Sequence, residues 1–384
     1  MKKTGKVKNI LDSGQKLVCI GPVSKNTVDA TIEFSNYSGT FLKIIASRSQ
    51  IEMDKLGGGY CNKWNTSDFA DYIRKKDKRN RIIIARDHGG AYQHPLESSL
   101  STDLAMKSSM ESFACDIESG FDAIHFDPMI PSTGNRSEDI LQSLKAITEI
   151  YDFCHTNYPS KVFDIEIGTE EQTPGFSGHK EIGKLLKDLT KIIKDNSWRM
   201  PTLLVVQTGT KVIENQNLGL LNTSKDPNKS LEKINFDLIT SICQDNGIYT
   251  KGHNIDYINE DALISLSKFN LSAVNIAPEF GHIESKAIWD LLNKYRLDRT
   301  LDDLIEYVTP KNKWRKWTLK PGEISDQKKF LLGAHYHFSD DEFVELLNPL
   351  KFAIETKSNT SLDEIIKNKI KDKINFYINT FGAT

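Results

Sequence analysis

The chain has 384 residues, 38% of them hydrophobic and 27% charged, with a net charge of -2 and a mean hydropathy of -0.43. That balance leaves enough apolar material for a large core and gives no electrostatic ground for nucleic acid or an anionic membrane as a partner. No apolar run approaches the length of a membrane span, and the basic segment Met1 to Lys16 lacks the apolar core of a signal peptide. Cys19, Cys61, Cys115, Cys154 and Cys243 are scattered without a CxxC pair, which excludes a cysteine-only zinc site and points to a reducing, cytoplasmic setting.

Lys16 to Gly21 reads as a first strand, and Asn26 to Tyr37 as a helix with Val28, Ile32 and Phe34 inward. Phe41 to Ser47 is a second strand that runs into the glycine-rich stretch Arg48 to Tyr60; its Gly57-Gly58-Gly59 run lacks the Lys-Ser/Thr of a phosphate-binding loop and reads as a mobile lid. A helix capped at Thr66 or Ser67 carries Phe69, Tyr72 and Ile73. Ile82, Ile83, Ile84 and Ala85 then form a strand without alternation, the pattern of burial on both faces, and it ends abruptly in Arg86-Asp87-His88-Gly89-Gly90. Glycines at such an exit let backbone approach a ligand closely.

The alternation continues with a helix over Ser101 to Ser119, a strand over Phe121 to Pro128, a helix over Ser137 to Tyr151, and a strand over Lys161 to Glu170. A clear apolar helical stripe runs from Ile182 to Ile193, followed by a strand from Thr202 to Gly209. Ser230 to Gln244 is a helix with Leu231, Ile234, Leu238 and Ile242 on one face, Ile248 to Asn254 a strand, Glu260 to Phe269 a helix, Leu271 to Phe280 a strand and Glu284 to Tyr295 a helix. Eight strand-then-helix units predict a (β/α)8 TIM barrel over residues 1–298. Residues 299–384, with Trp314, Trp317 and short helical patterns, predict a helical C-terminal extension packed on the barrel, in which 356–378 reads as one or two charged surface helices.

Such barrels carry their sites at the carboxyl ends of the strands. Those ends supply Arg48, Asp87, His88, His125, Asp127, Glu166, Glu170, Gln207, Lys211, Lys251, His253, Asn275 and Glu279. A metal held by imidazole and carboxylate would account for this crowd, and its cations suit a phosphate or carboxylate on a substrate. Spacing cannot test a site assembled from distant strands. His125 and Asp127 read equally as a hydrogen-bonded core pair, Glu166 as the ion-pair partner of Arg86 or Lys251, and His94, His155, His179 and His282 as surface residues.

Asp87-His88-Gly89, Ile124-His125-Phe126-Asp127, Ile167-Gly168-Thr169-Glu170 with Pro174-Gly175, and Gly252-His253-Asn254-Ile255-Asp256-Tyr257 occur in that order. Ahead of them stand Ser49-Gln50, Leu56-Gly57-Gly58-Gly59-Tyr60 and Thr66-Ser67-Asp68-Phe69. Together these stretches resemble the class II, metal-dependent aldolases of the fructose- and tagatose-bisphosphate type, most closely the Z-type, non-catalytic subunit of tagatose-bisphosphate aldolase. The resemblance covers roughly Ala46 to Glu279 and continues weakly at His335 to Asp340. It implies a divalent metal, zinc in the first instance, with His88 and His253 as ligands and Asp87 as the acid-base group at a substrate hydroxyl. The metal would polarise a ketose carbonyl and stabilise the enediolate left by C–C cleavage.

Two departures from that pattern stand out. Where catalytic subunits carry a further zinc-binding histidine after the sixth strand, this chain has Gly209-Thr210-Lys211-Val212, and the glycine-rich phosphate loop after the seventh strand is replaced by Gly252 to Asp256. A third ligand would then come from Gln207, Glu166 or Glu170, or the metal would be absent, since a lysine repels a divalent cation. The expected set is therefore Asp87 and Glu166 as catalytic groups, His88, His253, Glu170 and Gln207 at the metal, and Arg48, Arg86, Lys211, Lys251, Asn275 and Asp127 at an anionic sugar or sugar phosphate. The expected function is a lyase of the class II aldolase type. The alternatives are a non-catalytic subunit that stabilises a separate catalytic aldolase subunit, and a metal-dependent sugar epimerase. Self-association into a homo-oligomer is also expected.

Overall fold

A computed structural model describes residues 4–168, 179–206, 208, 210–223 and 231–383. Eight parallel strands close into a barrel: β1 (Leu17–Ile20), β2 (Leu42–Ala46), β3 (Ile82–Arg86), β4 (Ala123–Phe126), β5 (Asp164–Ile167), β6 (Leu203–Val206), β9 (Tyr249–Gly252) and β10 (Ala273–Ile276). Each strand pairs with the strand before and after it around the ring, and β1 closes it on β10 with Cys19 opposite Asn275. A two-stranded antiparallel hairpin, β7 (Val212–Ile213) and β8 (Gln216–Asn217), projects from the segment after β6. The fold is thus the (β/α)8 TIM barrel that the alternation of apolar runs predicts.

Alternation along each strand separates two apolar regions. Leu17, Cys19, Ile45, Ile83, Ala85, Ala123, Leu203 and Ala273 fill the barrel's interior. Their neighbours in sequence, among them Val18, Ile44, Ile84, Ile124 and Ile165, face the surrounding helices. The interior cluster is completed by Val7, Ile10 and Leu11 of α1 (Lys6–Asp12), a helix not anticipated from the basic N-terminal segment. Asp164, the first residue of β5, accepts the backbone N–H groups of Val7 (2.7 Å) and Lys8 (3.3 Å), so α1 closes the end of the barrel where the strands begin. Gly5 is required there because a Cβ would stand 2.2 Å from the Asp164 carboxylate.

The outer helices α2 (Lys25–Ser38), α3 (Thr66–Lys76), α4 (Thr102–Glu118), α5 (Arg136–Asn157), α6 (His179–Asp195), α8 (Leu231–Asp245), α9 (Glu260–Ser267) and α10 (Pro278–Tyr295) follow the predicted order, and a short α7 (Leu220–Thr223) that was not predicted precedes α8. Three local expectations change. The cap of α3 is Asn65, whose side chain accepts the Asp68 N–H at 2.8 Å, one residue earlier than expected. The last barrel strand stops at Ile276, because Pro278 sits in the first turn of α10, where its missing N–H costs nothing. On α8 the buried face holds Phe236, Ile239 and Cys243, while Leu238 is exposed.

Beyond the barrel come α11 (Asp298–Val308), α12 (Asp326–Gly333), α13 (Asp341–Leu346), α14 (Asn348–Lys357) and α15 (Leu362–Phe381). The last is a single amphipathic helix and not a charged surface segment: Leu362, Ile366, Ile370, Ile374, Tyr377, Ile378 and Phe381 are all buried. Its spacing of i, i+4, i+8 lines one face, and each such side chain contributes about 1.5–3 kcal/mol by leaving water. That face covers α2, α9 and α10, and Lys367 and Lys371 pair with Glu33 of α2 at 2.5 and 2.9 Å. The glycine-rich stretch expected to be a lid is tied by backbone bonds, Gly59 N–H to the Trp64 carbonyl (3.1 Å) and Tyr60 N–H to the Ser49 carbonyl (3.1 Å).

Candidate active site

Strand β3 delivers its exit residues in opposite directions. Arg86 turns outward behind the sheet, where it is wholly buried, pairs with Asp116 at 2.6 and 2.8 Å and donates to the carbonyls of Ala46 and Ile51. Asp87 turns inward to the mouth of the barrel. His88 follows with φ +47°, a left-handed backbone that a residue with a Cβ adopts only where its surroundings impose it.

Around Asp87 the other strands converge. Its carboxylate lies 3.3 Å from Lys251 Nζ (β9) and 3.3 Å from Asn275 Nδ2 (β10). Further out are His125 Nδ1 of β4 (3.4 Å), His253 Nε2 (3.8 Å) and His88 Nε2 (3.8 Å). Burial alone would raise this carboxyl, but the charges of Lys251 and His88 outweigh it and hold Asp87 well below the usual carboxylate range. Asp87 is therefore an ionised base at neutral pH.

The imidazoles are oriented from behind. Asp127 Oδ2 lies 2.7 Å from His88 Nδ1 and also accepts from Gln93 Nε2 at 3.1 Å, so His88 presents Nε2 toward Asp87. That hydrogen bond draws Asp127 below its ordinary value against the effect of burial. The backbone N–H of His88 donates to His125 Nδ1 at 3.1 Å, leaving the His125 proton on Nε2. Burial pushes His125 down to about 4, which keeps that ring neutral. Ring centroids of His88, His125 and His253 lie 4.9 to 5.8 Å apart. Gly168 makes room for this packing, since a Cβ there would stand 2.6 Å from both Asp127 Oδ1 and His125 Nε2.

Among the described residues, two sets bring three ligand atoms within 4.8 Å of one another: Asp87, His88 and His253, and His88, His125 and Asp127. The first has the donor types of a divalent-metal site, with Asp127 as the carboxylate that fixes one histidine's tautomer. Beneath it, Glu166 sits between two buried ammonium groups, in contact with Lys43 Nζ of β2 and 2.5 Å from Lys251 Nζ. Lys43 is pushed down to about 7, by burial first and by the charge of Lys251 second.

The expected site residues thus divide. Asp87, His88, Asp127, Glu166, Lys251, His253 and Asn275 come together at or just below the mouth. Arg86 does not, for the reason given. Nor does Arg48, which is buried, bonds Glu52 at 2.6 Å and Glu97 at 2.8 Å, and donates to the Gly90 carbonyl at 2.9 Å; both arginines brace loops and neither is placed to meet a substrate. Lys211 is half-buried, its N–H held by Asn217 Oδ1 at 3.2 Å. Glu170 and Gln207 lie outside the described residues. His94, expected at the surface, is 8% exposed and accepts the Leu96 N–H. Lys43 was absent from the expected set, and the signal for it was a lysine in the middle of the apolar second strand. His125 carried one too: it shares the phase of Asp127 and Ala123, and that phase points inward.

No family model matches the chain, and no curated protein does. Solved structures match in fold. A protein from Sinorhizobium meliloti 1021 described as a probable tagatose 6 phosphate kinase is 14% identical, with a TM-score of 0.75 over 96% of this chain and 100% of its own. The fructose-bisphosphate aldolase of Campylobacter jejuni is 12% identical, with a TM-score of 0.54 over 98% of this chain and 93% of its own. The YdjI aldolase of Escherichia coli K12 is 10% identical, with a TM-score of 0.53 over 98% of this chain and 95% of its own. The chain therefore shares its (β/α)8 barrel fold with these proteins. No helix among the described residues is long and apolar enough to cross a membrane.

Proposed function

We propose that the chain is a carbon–carbon lyase of the class II aldolase type, acting on a phosphorylated or otherwise anionic sugar. The observation that carries this reading is the convergence of Asp87, His88 and His253, with Asp127 behind His88. His88 and His253 would hold a divalent ion, zinc in the first instance, beside Asp87, and the bound ion would supply Lewis-acid polarisation of a substrate carbonyl. Asp87, kept ionised by Lys251, accepts the proton of the substrate hydroxyl as the C–C bond breaks, and returns it in the reverse direction. Asn275 donates to Asp87 through Nδ2, while its buried Oδ1 has no partner among the described residues and can accept a sugar hydroxyl. Lys211 is assigned to an anionic group of the substrate, Lys251 being committed to Glu166 and Asp87. In this reading Glu166 acts through Lys251, which it holds beside Asp87.

A second reading, a non-catalytic subunit of a separate aldolase, draws on one observation: the ammonium of Lys251 stands 3.3 Å from Asp87 and opposes a cation there. Metal content of the protein purified without added metal, compared with His88→Ala and His253→Ala, tests the first reading together with cleavage of a panel of ketose phosphates. About one divalent ion per chain, lost in both variants, with cleavage by the wild type alone, is the expected outcome. A metal-free wild type that cleaves nothing and only raises the stability of a co-purifying aldolase establishes the second.

A further inference from the structure

We infer that helix α15 is a working part of the site, and that Tyr377 is a positioning residue for the His253 loop. This rests on the reading of His253 as a metal ligand. The loop, residues 253–257, leaves β9 along a strained course, with φ +58° at Asn254 and +57° at Tyr257, both non-glycine. Such backbone persists only where its surroundings over-determine it.

Four separate parts of the chain supply that determination. Behind the histidine, Thr210 Oγ1 donates to the His253 carbonyl at 2.7 Å. From the hairpin, Asn217 Nδ2 donates to the carbonyls of Asn254 and Asp256, each at 3.0 Å. The third clamp comes from α15. The hydroxyl of Tyr377, itself fully buried, is shared between the Glu279 carboxylate and the Ile255 carbonyl, the latter at 3.2 Å. Glu279 in turn accepts the Tyr257 N–H at 2.8 Å and pairs with Lys373, one turn before Tyr377 on α15, at 2.8 Å. Asp256 Oδ1 takes the N–H groups of Ala277 and Glu279 at 2.8 and 2.9 Å, fastening the loop to the start of α10. The phenol thus bonds the centre of the loop directly and, through Glu279, its end. Outer-shell partners that orient a metal ligand are worth about 10- to 100-fold in metal affinity.

The test uses the full chain with Tyr377→Phe, which keeps the ring and removes only the hydroxyl. Tyr151→Phe is the control, because the Tyr151 hydroxyl is buried without a hydrogen-bond partner among the described residues. Hydrogen exchange of the amides of residues 253–257 is read alongside the Kd for zinc ions. The inference predicts exchange about three- to tenfold faster within the loop in Tyr377→Phe alone, and a zinc Kd weakened about tenfold. Loop exchange equal to wild type, acceleration spread evenly over α15 and the barrel, or an unchanged zinc Kd would overturn it. A wild type that binds no zinc, with loop exchange still responding to Tyr377→Phe, removes the metal reading and leaves the positioning role standing.

Discussion

Lys251→Met removes the cation on which the charge arrangement inside the barrel depends. Nζ of Lys251 is wholly buried, 2.5 Å from Glu166 and 3.3 Å from Asp87. At an effective dielectric of about 20, a pair at that second distance attracts by about 5 kcal/mol, before the cost of keeping both ions out of water is subtracted. Removing one partner of a buried pair typically destabilises by about 3–5 kcal/mol, because the other is left as an uncompensated charge. Glu166 retains Lys43 and Asp87 retains Asn275, so the lower end, about 3 kcal/mol, is expected at pH 7.5 in equilibrium urea unfolding. The pH dependence has a definite sign. In the wild type the Asp87 carboxyl is depressed, so its contribution is present above the unfolded carboxylate pKa of about 4 and is lost only as pH falls through the lower folded value. Without Lys251 the largest of the charges that lower this carboxyl is gone while His88, His125 and His253 still oppose burial, so the variant's deficit shrinks as pH falls toward and below the unfolded carboxylate value. Adding Asp87→Asn should restore part of the loss at pH 7.5. A loss under about 1 kcal/mol, or a deficit that grows on acidification, would refute the reasoning.

Gly168→Ala should abolish metal retention while destabilising the protein by only about 1–3 kcal/mol, since its Cβ would stand 2.6 Å from Asp127 and His125; metal content and urea unfolding together check this. Asp164→Ala removes the acceptor for Val7, Lys8 and Thr202, and should cost about 2–3 kcal/mol with loss of amide protection across α1. Asp256 is pushed up to about 7, by burial first and by the charge of Glu279 second, so the folded state holds a proton that the unfolded state has released. Wild-type stability therefore declines as pH rises between about 4 and 7 through this group, and Asp256→Asn, which keeps the acceptor, should gain on the wild type across that range in denaturant titrations. A constant difference would remove the assignment.

The barrel was legible because its strands are continuous apolar runs and its helices carry 3.6-residue periodicity, two signals that depend on local sequence alone. Helix α1 escaped, as its caps come from Asp164, more than 150 residues away in the chain. The nature of α15 was hidden by its charge: lysines alternate from Lys367 to Lys373, while isoleucines at every fourth residue from Ile366 to Ile378 form the buried face. At the site, Asp87, His88 and His253 could be nominated from their place after strands. The outward turn of Arg86 follows from the strand's two-residue alternation, in which neighbours must face opposite ways, and Asp116 on α4 confirms the direction. Of the two partners that the sequence offered Glu166, Lys251 is the one it meets; what sequence could not supply was that the same ammonium also reaches Asp87, because that depends on closure of the ring.

The contact between α15 and α2 also bears on how the chain is made. Lys367 follows its partner Glu33 by 334 residues, so the face of α2 that α15 covers stays open to water throughout translation of everything between them. Val28 and Ile32 lie on α2, and Tyr377 bonds Ile255 beside the site. A ribosome-bound chain arrested before residue 362 would carry a complete set of barrel strands yet an uncovered apolar stripe, a ready target for chaperones or for another nascent chain. Tyr377 can fasten the His253 loop only once α15 has been made.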